Sequence, residues 1–205
     1  MELRKVLKQL RELEKLGKKK EMRLAAEEWD EEWKTLIATI MSAQSRDETT
    51  IPIASKLFDR YKSIEELARA KYKNVLKIFS GLNYNKTKAK NVINCAKELV
   101  GRHNSKVPHD FDQLVELSGV GRKTANVFLT EYGSDAIGVD THLSYISQKL
   151  GWTSHKNPHK IEQDLLKLFP RKRWKFINQI AVRFGKSHTK RKEKDKLLED
   201  IKKIK

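Results

Sequence analysis

Leu117-Ser118-Gly119-Val120-Gly121-Arg122-Lys123-Thr124-Ala125-Asn126-Val127 decides how the rest of the chain is read. Two glycines bracket a single apolar residue, a pattern that turns the backbone tightly and lets its N–H groups approach an oxygen that side chains would hold off. Arg122 and Lys123 then open a helix, so an amine stands beside a cradle suited to a phosphate. Shortly after, Val139-Asp140-Thr141-His142 brings a carboxylate, with Asp140 in a favoured capping position for a further helix.

Outward from this stretch, apolar residues recur at three- and four-residue steps, and no sustained alternation of β-branched with polar residues occurs. The fold class this implies is all-α. Leu3, Val6, Leu7, Leu10 and Leu13 form a stripe ending near Gly17, and Trp33, Leu36, Ile37, Ile40 and Met41 mark a helix from Glu31 to Ala43. Ile53, Leu57 and Phe58 mark another from Thr50 to Tyr61, and Ser63 with Glu66 makes a capping box. Further helices are expected over Tyr72 to Phe79, Lys86 to Arg102, Phe111 to Leu117 behind an Asp110 cap, and Arg122 to Tyr132. Lys160 to Leu168, Arg173 to Phe184 and the stripe Leu197, Leu198, Ile201 and Ile204 complete the set. There is no internal repeat, and the connections that contain proline are short.

The 205 residues hold 44 Lys plus Arg against 27 Asp plus Glu, a formal charge of +17, which favours a polyanionic partner through counterion release. A Lys- and Glu-rich surface also serves solubility. From Lys167 to Lys194, however, eleven residues are Lys or Arg and one, Glu193, is acidic, which reads as an edge for a phosphate backbone with Trp174 and Phe176 as core anchors within it. Cys95 is the only cysteine, so the chain offers neither an intrachain disulfide nor a four-cysteine cluster, and it is expected as a small buried hydrophobe. His155 and His159 flank Pro158 in a loop-like stretch, and no metal site is expected there. No apolar run approaches the roughly 20 residues of a membrane span, and Met1-Glu2-Leu3-Arg4-Lys5 lacks a secretory h-region. An intracellular protein is expected, cytoplasmic or nucleoid-associated, with no membrane partner.

Leu117 to Leu129 resembles the helix-hairpin-helix of the endonuclease III-like DNA glycosylases, with Ser118 where that family has proline. Ile40-Met41-Ser42-Ala43-Gln44-Ser45-Arg46-Asp47 resembles the family's segment ending in serine, alanine, glutamine and then aspartate, and Val139-Asp140-Thr141-His142 its aspartate motif. The resemblance runs from about Trp33 to Phe184, and the three motifs keep the family's order. The family's C-terminal four-cysteine segment is missing, since Phe184-Gly185-Lys186-Ser187 leads into a lysine-rich tail, so no iron–sulfur cluster and no other cofactor is expected. Packing or charge, using Leu197 to Ile204, has to hold that end instead.

The resemblance implies two helical domains, residues 25–136 and residues 1–24 with 137–205, with the active-site cleft between them. It implies a monomer acting on damaged double-stranded DNA. A phosphate meets the hairpin at Gly119, Val120, Gly121 and Arg122, and the target nucleotide rotates out of the stack. Gln44 fills the vacated space or caps its own helix, and Leu82 is the candidate wedge beside the opposite base. Lys123 is the implied nucleophile, against a simpler role as a phosphate contact. A free lysine titrates near ~10.4, so such a site must favour the neutral amine. Asp140 stabilises positive charge on the sugar or takes a proton from the amine, against a plain capping role, with Thr141 and His142 supporting its turn.

A lysine Schiff base makes the implied enzyme a bifunctional DNA glycosylase/AP lyase that removes oxidised pyrimidines and nicks the strand by β-elimination. Relatives with tyrosine at this position are monofunctional. The alternatives are a monofunctional glycosylase for mismatched or alkylated bases, and a noncatalytic helix-hairpin-helix DNA-binding protein.

Overall fold

The structure, a computed structural model, describes residues 2–17, 23–133 and 136–204. Among these residues the secondary structure is helical, with no strand. In chain order the helices are α1 (Leu3–Gly17), α2 (Glu32–Ser42), α3 (Asp47–Arg60), α4 (Ile64–Ala68), α5 (Tyr72–Ile78) and α6 (Asn85–Arg102). They continue with α7 (Phe111–Val115), α8 (Arg122–Glu131), α9 (Thr141–Leu150), α10 (Pro158–Leu168), α11 (Trp174–Ser187) and α12 (Arg191–Lys202). The chain divides into two compact units, one of Arg23–Glu131 and one of Met1–Met22 with Tyr132–Lys205.

In the Arg23–Glu131 unit, α2 is the central rod. Trp33 and Thr35 through Met41 are all buried, the pattern of a helix surrounded by others. Trp29 and Trp33 both set their rings edge-on to Phe58 of α3, at centroid distances of 4.9 and 5.3 Å. α6 packs on α4, α5 and α2, and α8 returns to α2. The start signals act as their residue types dictate. Ser63 Oγ accepts from the Glu66 N–H, while Glu66 reaches back to the Lys62 N–H, and Asp110 Oδ1 accepts from the Gln113 N–H at the head of α7. Cys95 is buried in α6, where burial pushes its thiol pKa upward, so it is an inert packing residue.

The other unit is built on α1, whose Val6, Leu10 and Leu13 share a core with Leu143, Ile146 and Leu150 of α9, Phe184 of α11, and Leu198 and Ile201 of α12. α1 closes on α11 so tightly at Gly17 that an added Cβ would lie 3.0 Å from the Phe184 backbone nitrogen. Gln9, buried in this core, receives the Trp152 indole N–H at 2.8 Å. At the other edge of α12, Tyr145 donates its hydroxyl to Asp195, and Lys149 pairs with the same carboxylate at 3.3 Å. The end of the described chain is therefore held by packing and charge together.

Two expectations need correction. Phe176 is not a core anchor: it is 39% exposed, with the Lys175 ammonium 4.7 Å from its ring centroid. Trp174 does lie partly against the core and donates its indole N–H to the Phe169 carbonyl. The helix placed at Lys160 begins earlier, because Asn157 Oδ1 accepts from the His159 and Lys160 N–H groups and Pro158 occupies the first turn.

Because Leu198 and Ile201 are buried where α12 meets α1 and α9, truncating either to Ala is expected to destabilise the protein by roughly 2–5 kcal/mol. The partly buried Leu197→Ala should cost clearly less. Denaturant unfolding measures both, and equal midpoints for all three variants would contradict this packing.

Candidate active site

The hairpin is closed from within. After α7, the Leu117 N–H donates to the Leu114 carbonyl, the Val120 N–H to the Leu117 carbonyl, and the Ala125 N–H to the Gly121 carbonyl, which starts α8. Gly119 has φ +84°, and an added Cβ would lie 2.9 Å from Asn91 Cβ and 3.0 Å from Ile40 Cγ2. Both backbone and packing therefore require glycine at 119. Gly121 differs: a Cβ there meets nothing within 4 Å. No described residue explains the absence of a side chain at 121, and among the described residues the hairpin is open on that side. No acceptor for the Gly119 or Gly121 amide occurs among the described residues.

Val120 departs from the expectation that it contacts DNA, because its side chain is buried and its amide is spent on Leu117. Ser118 uses what proline lacks, donating both its N–H and its hydroxyl to the Glu98 carboxylate at 2.7 Å each. Arg122 stacks its guanidinium 4.7 Å from the Phe111 centroid. Lys123, in the first turn of α8, is exposed, and its amine has no partner among the described residues.

Asp140 caps α9, with Oδ1 accepting the Leu143 N–H at 2.8 Å. Its other oxygen has no partner among the described residues, so capping leaves that oxygen's lone pairs uncommitted. The approach to it is fixed from α11. Asn178 donates its side-chain N–H to the Gly138 carbonyl, and the His142 ring lies so close to Gly185 that an added Cβ would clash with its Nδ1. The support role expected of His142 is consistent with this contact.

Gln44, just past α2, is exposed with φ 53°, and its side-chain amide makes no hydrogen bond among the described residues, so it does not cap its own helix. Its carbonyl accepts from Asn83 Nδ2 at 2.7 Å. Leu82, named as the wedge from sequence, is only 5% exposed and thus corrected: its side chain is packed inside. The surface member of that loop is Tyr84, 65% exposed with φ 55°. Sequence reasoning also missed Lys88, buried on the apolar face of α6 with Nζ 2.7 Å from Ser45 Oγ, and Glu98 beneath the hairpin. Their spacing along α6 was the available signal.

An open-sided glycine hairpin leading into an exposed lysine, in a helical chain, places the protein among the helix-hairpin-helix DNA-binding proteins. Comparison narrows this class. The model of the HhH-GPD superfamily base excision DNA repair proteins matches residues 37–171, and the chain belongs to that family. It is 36% identical over 155 residues to the endonuclease III of Thermotoga maritima, covering 75% of this chain and 73% of that one. Among solved structures it is similar to a non-covalent endonuclease III–DNA complex, with a TM-score of 0.84, 27% identity, and coverage of 93% of this chain and 89% of that one. A trapped endonuclease III–DNA covalent intermediate compares at a TM-score of 0.83, 28% identity and the same coverages. The chain is a DNA glycosylase/AP lyase of base excision repair.

Among the described residues no group of three or more His, Cys, Asp or Glu is placed to hold a metal ion. The donor set does not fit the four-thiolate cluster of the resembled family, because the one cysteine, Cys95, is sealed in α6. No described helix is long and apolar enough to cross a membrane.

The two glycines should separate on substitution. Gly119→Ala forces a left-handed non-glycine residue against Asn91 and is expected to lower stability by about 1–3 kcal/mol. Gly121→Ala should leave the melting temperature unchanged while weakening duplex binding at least about tenfold, as a methyl group intrudes between amide and phosphate. Thermal unfolding and fluorescence anisotropy measure the pair; wild-type affinity in Gly121→Ala would remove the hairpin from the interface.

Proposed function

We propose that the protein excises oxidised pyrimidines from damaged duplex DNA and cuts the strand through a Lys123 Schiff base. The observation that carries this is the exposed amine of Lys123 beside the amides of Gly119 and Gly121, none of them with a partner among the described residues. A phosphate at those amides and at Arg122 sets the register of the duplex, and the damaged nucleotide rotates out of the stack. Gln44 enters the space left behind, and Tyr84, in place of the packed Leu82, stands against the opposite strand.

Lys123 Nζ attacks C1′ as the base departs with the glycosidic electron pair, and the Asp140 carboxylate stabilises the developing positive charge or accepts the proton the amine sheds. Ring opening gives an imine between Nζ and C1′. Loss of a proton from C2′ then expels the 3′ phosphate, and water releases the amine. Every step uses side chains of this chain, so the reaction runs without an iron–sulfur cluster. The protein acts inside the cell, in the cytoplasm or on the nucleoid, as a monomer. Exposed Arg171, Lys172, Lys175 and Lys190 to Lys192 add sequence-independent attraction to the backbone.

Borohydride reduction tests the central step. On a thymine-glycol or abasic duplex the wild type should form a covalent protein–DNA adduct, and Lys123→Gln should form none. Asp140→Asn should keep damaged-DNA binding and lose on the order of 10²–10⁴ in turnover. Base release without an adduct would instead mark a monofunctional glycosylase. Binding with no base release, indifferent to Asp140→Asn, would mark a noncatalytic binder.

A further inference from the structure

One face of α6 carries a row of side chains that this mechanism does not use. Lys88, Asn91, Cys95 and Glu98 follow one another at helical steps of three and four residues. Glu98 holds Ser118, Asn91 lies under Gly119, and Lys88 Nζ donates to Ser45 Oγ at 2.7 Å. Just before the same helix, Asn83 donates to the Gln44 carbonyl. The two loops that the proposed function lays on DNA thus take their positions from a single rod.

Lys88 is the member that needs an explanation. It is 5% exposed, and its amine has a neutral hydroxyl as its only partner among the described residues. Burying an ammonium without a counter-ion costs stability that an apolar side chain of similar volume would not. Burial lowers its pKa to about 8, so the folded state sheds a proton where the unfolded chain, at ~10.4, still holds one, and stability rises with pH across that window. What the contact secures is the residue after Gln44, whose left-handed backbone is costly for any side chain other than glycine's. Asn83 grips the Gln44 carbonyl and Lys88 the next side chain, so the strained residue is clamped at two points.

We propose that Lys88 is a positioning residue for DNA recognition: through Ser45 it fixes the Gln44 loop so that the Gln44 side chain is already aimed at the gap left by an extruded nucleotide. This rests on the proposed function and adds to it a source of preorganisation.

A double-mutant cycle with Lys88→Met and Gln44→Ala tests it, read as affinity for a duplex carrying a tetrahydrofuran abasic analogue and as KM and kcat on an abasic duplex. Lys88→Met should weaken binding and raise KM about tenfold with kcat within about twofold, and should add less than about twofold once Gln44 is Ala. Its unfolding midpoint at neutral pH should match or exceed the wild type, and the rise of stability above pH 8 should vanish. Wild-type affinity in Lys88→Met, or losses that multiply in the double variant, overturns the inference. Should Lys88→Met fail to fold, Ser45→Ala replaces it in the cycle with the same affinity, KM and kcat expectations and the same overturning results, while the rise of stability above pH 8 should persist. A wild type that ignores the abasic duplex ends the functional reading and this inference together, whereas wild-type binding with multiplying losses ends the inference alone.

Discussion

Gly119 sits at φ +84° in a space bounded by Asn91 and Ile40, and the placement of the hairpin and of Lys123 in the Arg23–Glu131 unit depends on that fit. The turn leaves no room for a side chain and no alternative backbone for one. It seats the hairpin on α6 and on α2, sets the direction in which α8 departs, and so carries Lys123 into the open. Ser118 reinforces the same seat with two hydrogen bonds to Glu98. Proline at that position could offer neither, so this chain replaces a stiff residue with a tethered one. Both devices restrict the same turn, one through the chain's own torsion and one through a carboxylate on a neighbouring helix.

The other unit holds its strongly basic α12 by packing and charge. Leu198 and Ile201 bury against α1 and α9, while Asp195 gathers Tyr145 and Lys149 at the edge. Apolar burial supplies most of the stabilisation, because ion pairs this exposed contribute little on their own. The carboxylate's value is in register, since it fixes which turn of α12 faces α9. α11 then has a free face for Gly138 and His142, the residues on either side of Asp140.

Much of this was legible in the chain. The glycine spacing, the apolar stripe of α2 and the capping residues Ser63, Asp110 and Asp140 act locally, and their local chemistry survives folding. Leu82 and Tyr84 show where legibility stopped. Two residues apart, they exchange places because the chain passes through a 3-10 turn at Phe79–Gly81 and then a left-handed Tyr84, so the leucine is swallowed and the tyrosine presented. Val120 was misread for a related reason, since its amide serves the turn that its neighbours shape. Lys88 was invisible as a functional residue because its partner, Ser45, is 43 positions away, and only the tertiary fold brings them together.

Asp140 shows how one carboxylate can serve structure and, in the proposed mechanism, chemistry at once. As the cap of α9 it accepts one N–H at the positive end of the helix, an interaction that fixes the plane of the group. In the proposed mechanism, that same fixation presents the second oxygen to the sugar in a set direction. On that proposal no reorganisation is needed as charge develops on the sugar, which is the condition under which electrostatic stabilisation is largest. The clamp on Gly138 by Asn178 and the close seat of His142 on Gly185 follow from the same need, since a cap that rocked with its loop would hold α9 but would aim at nothing.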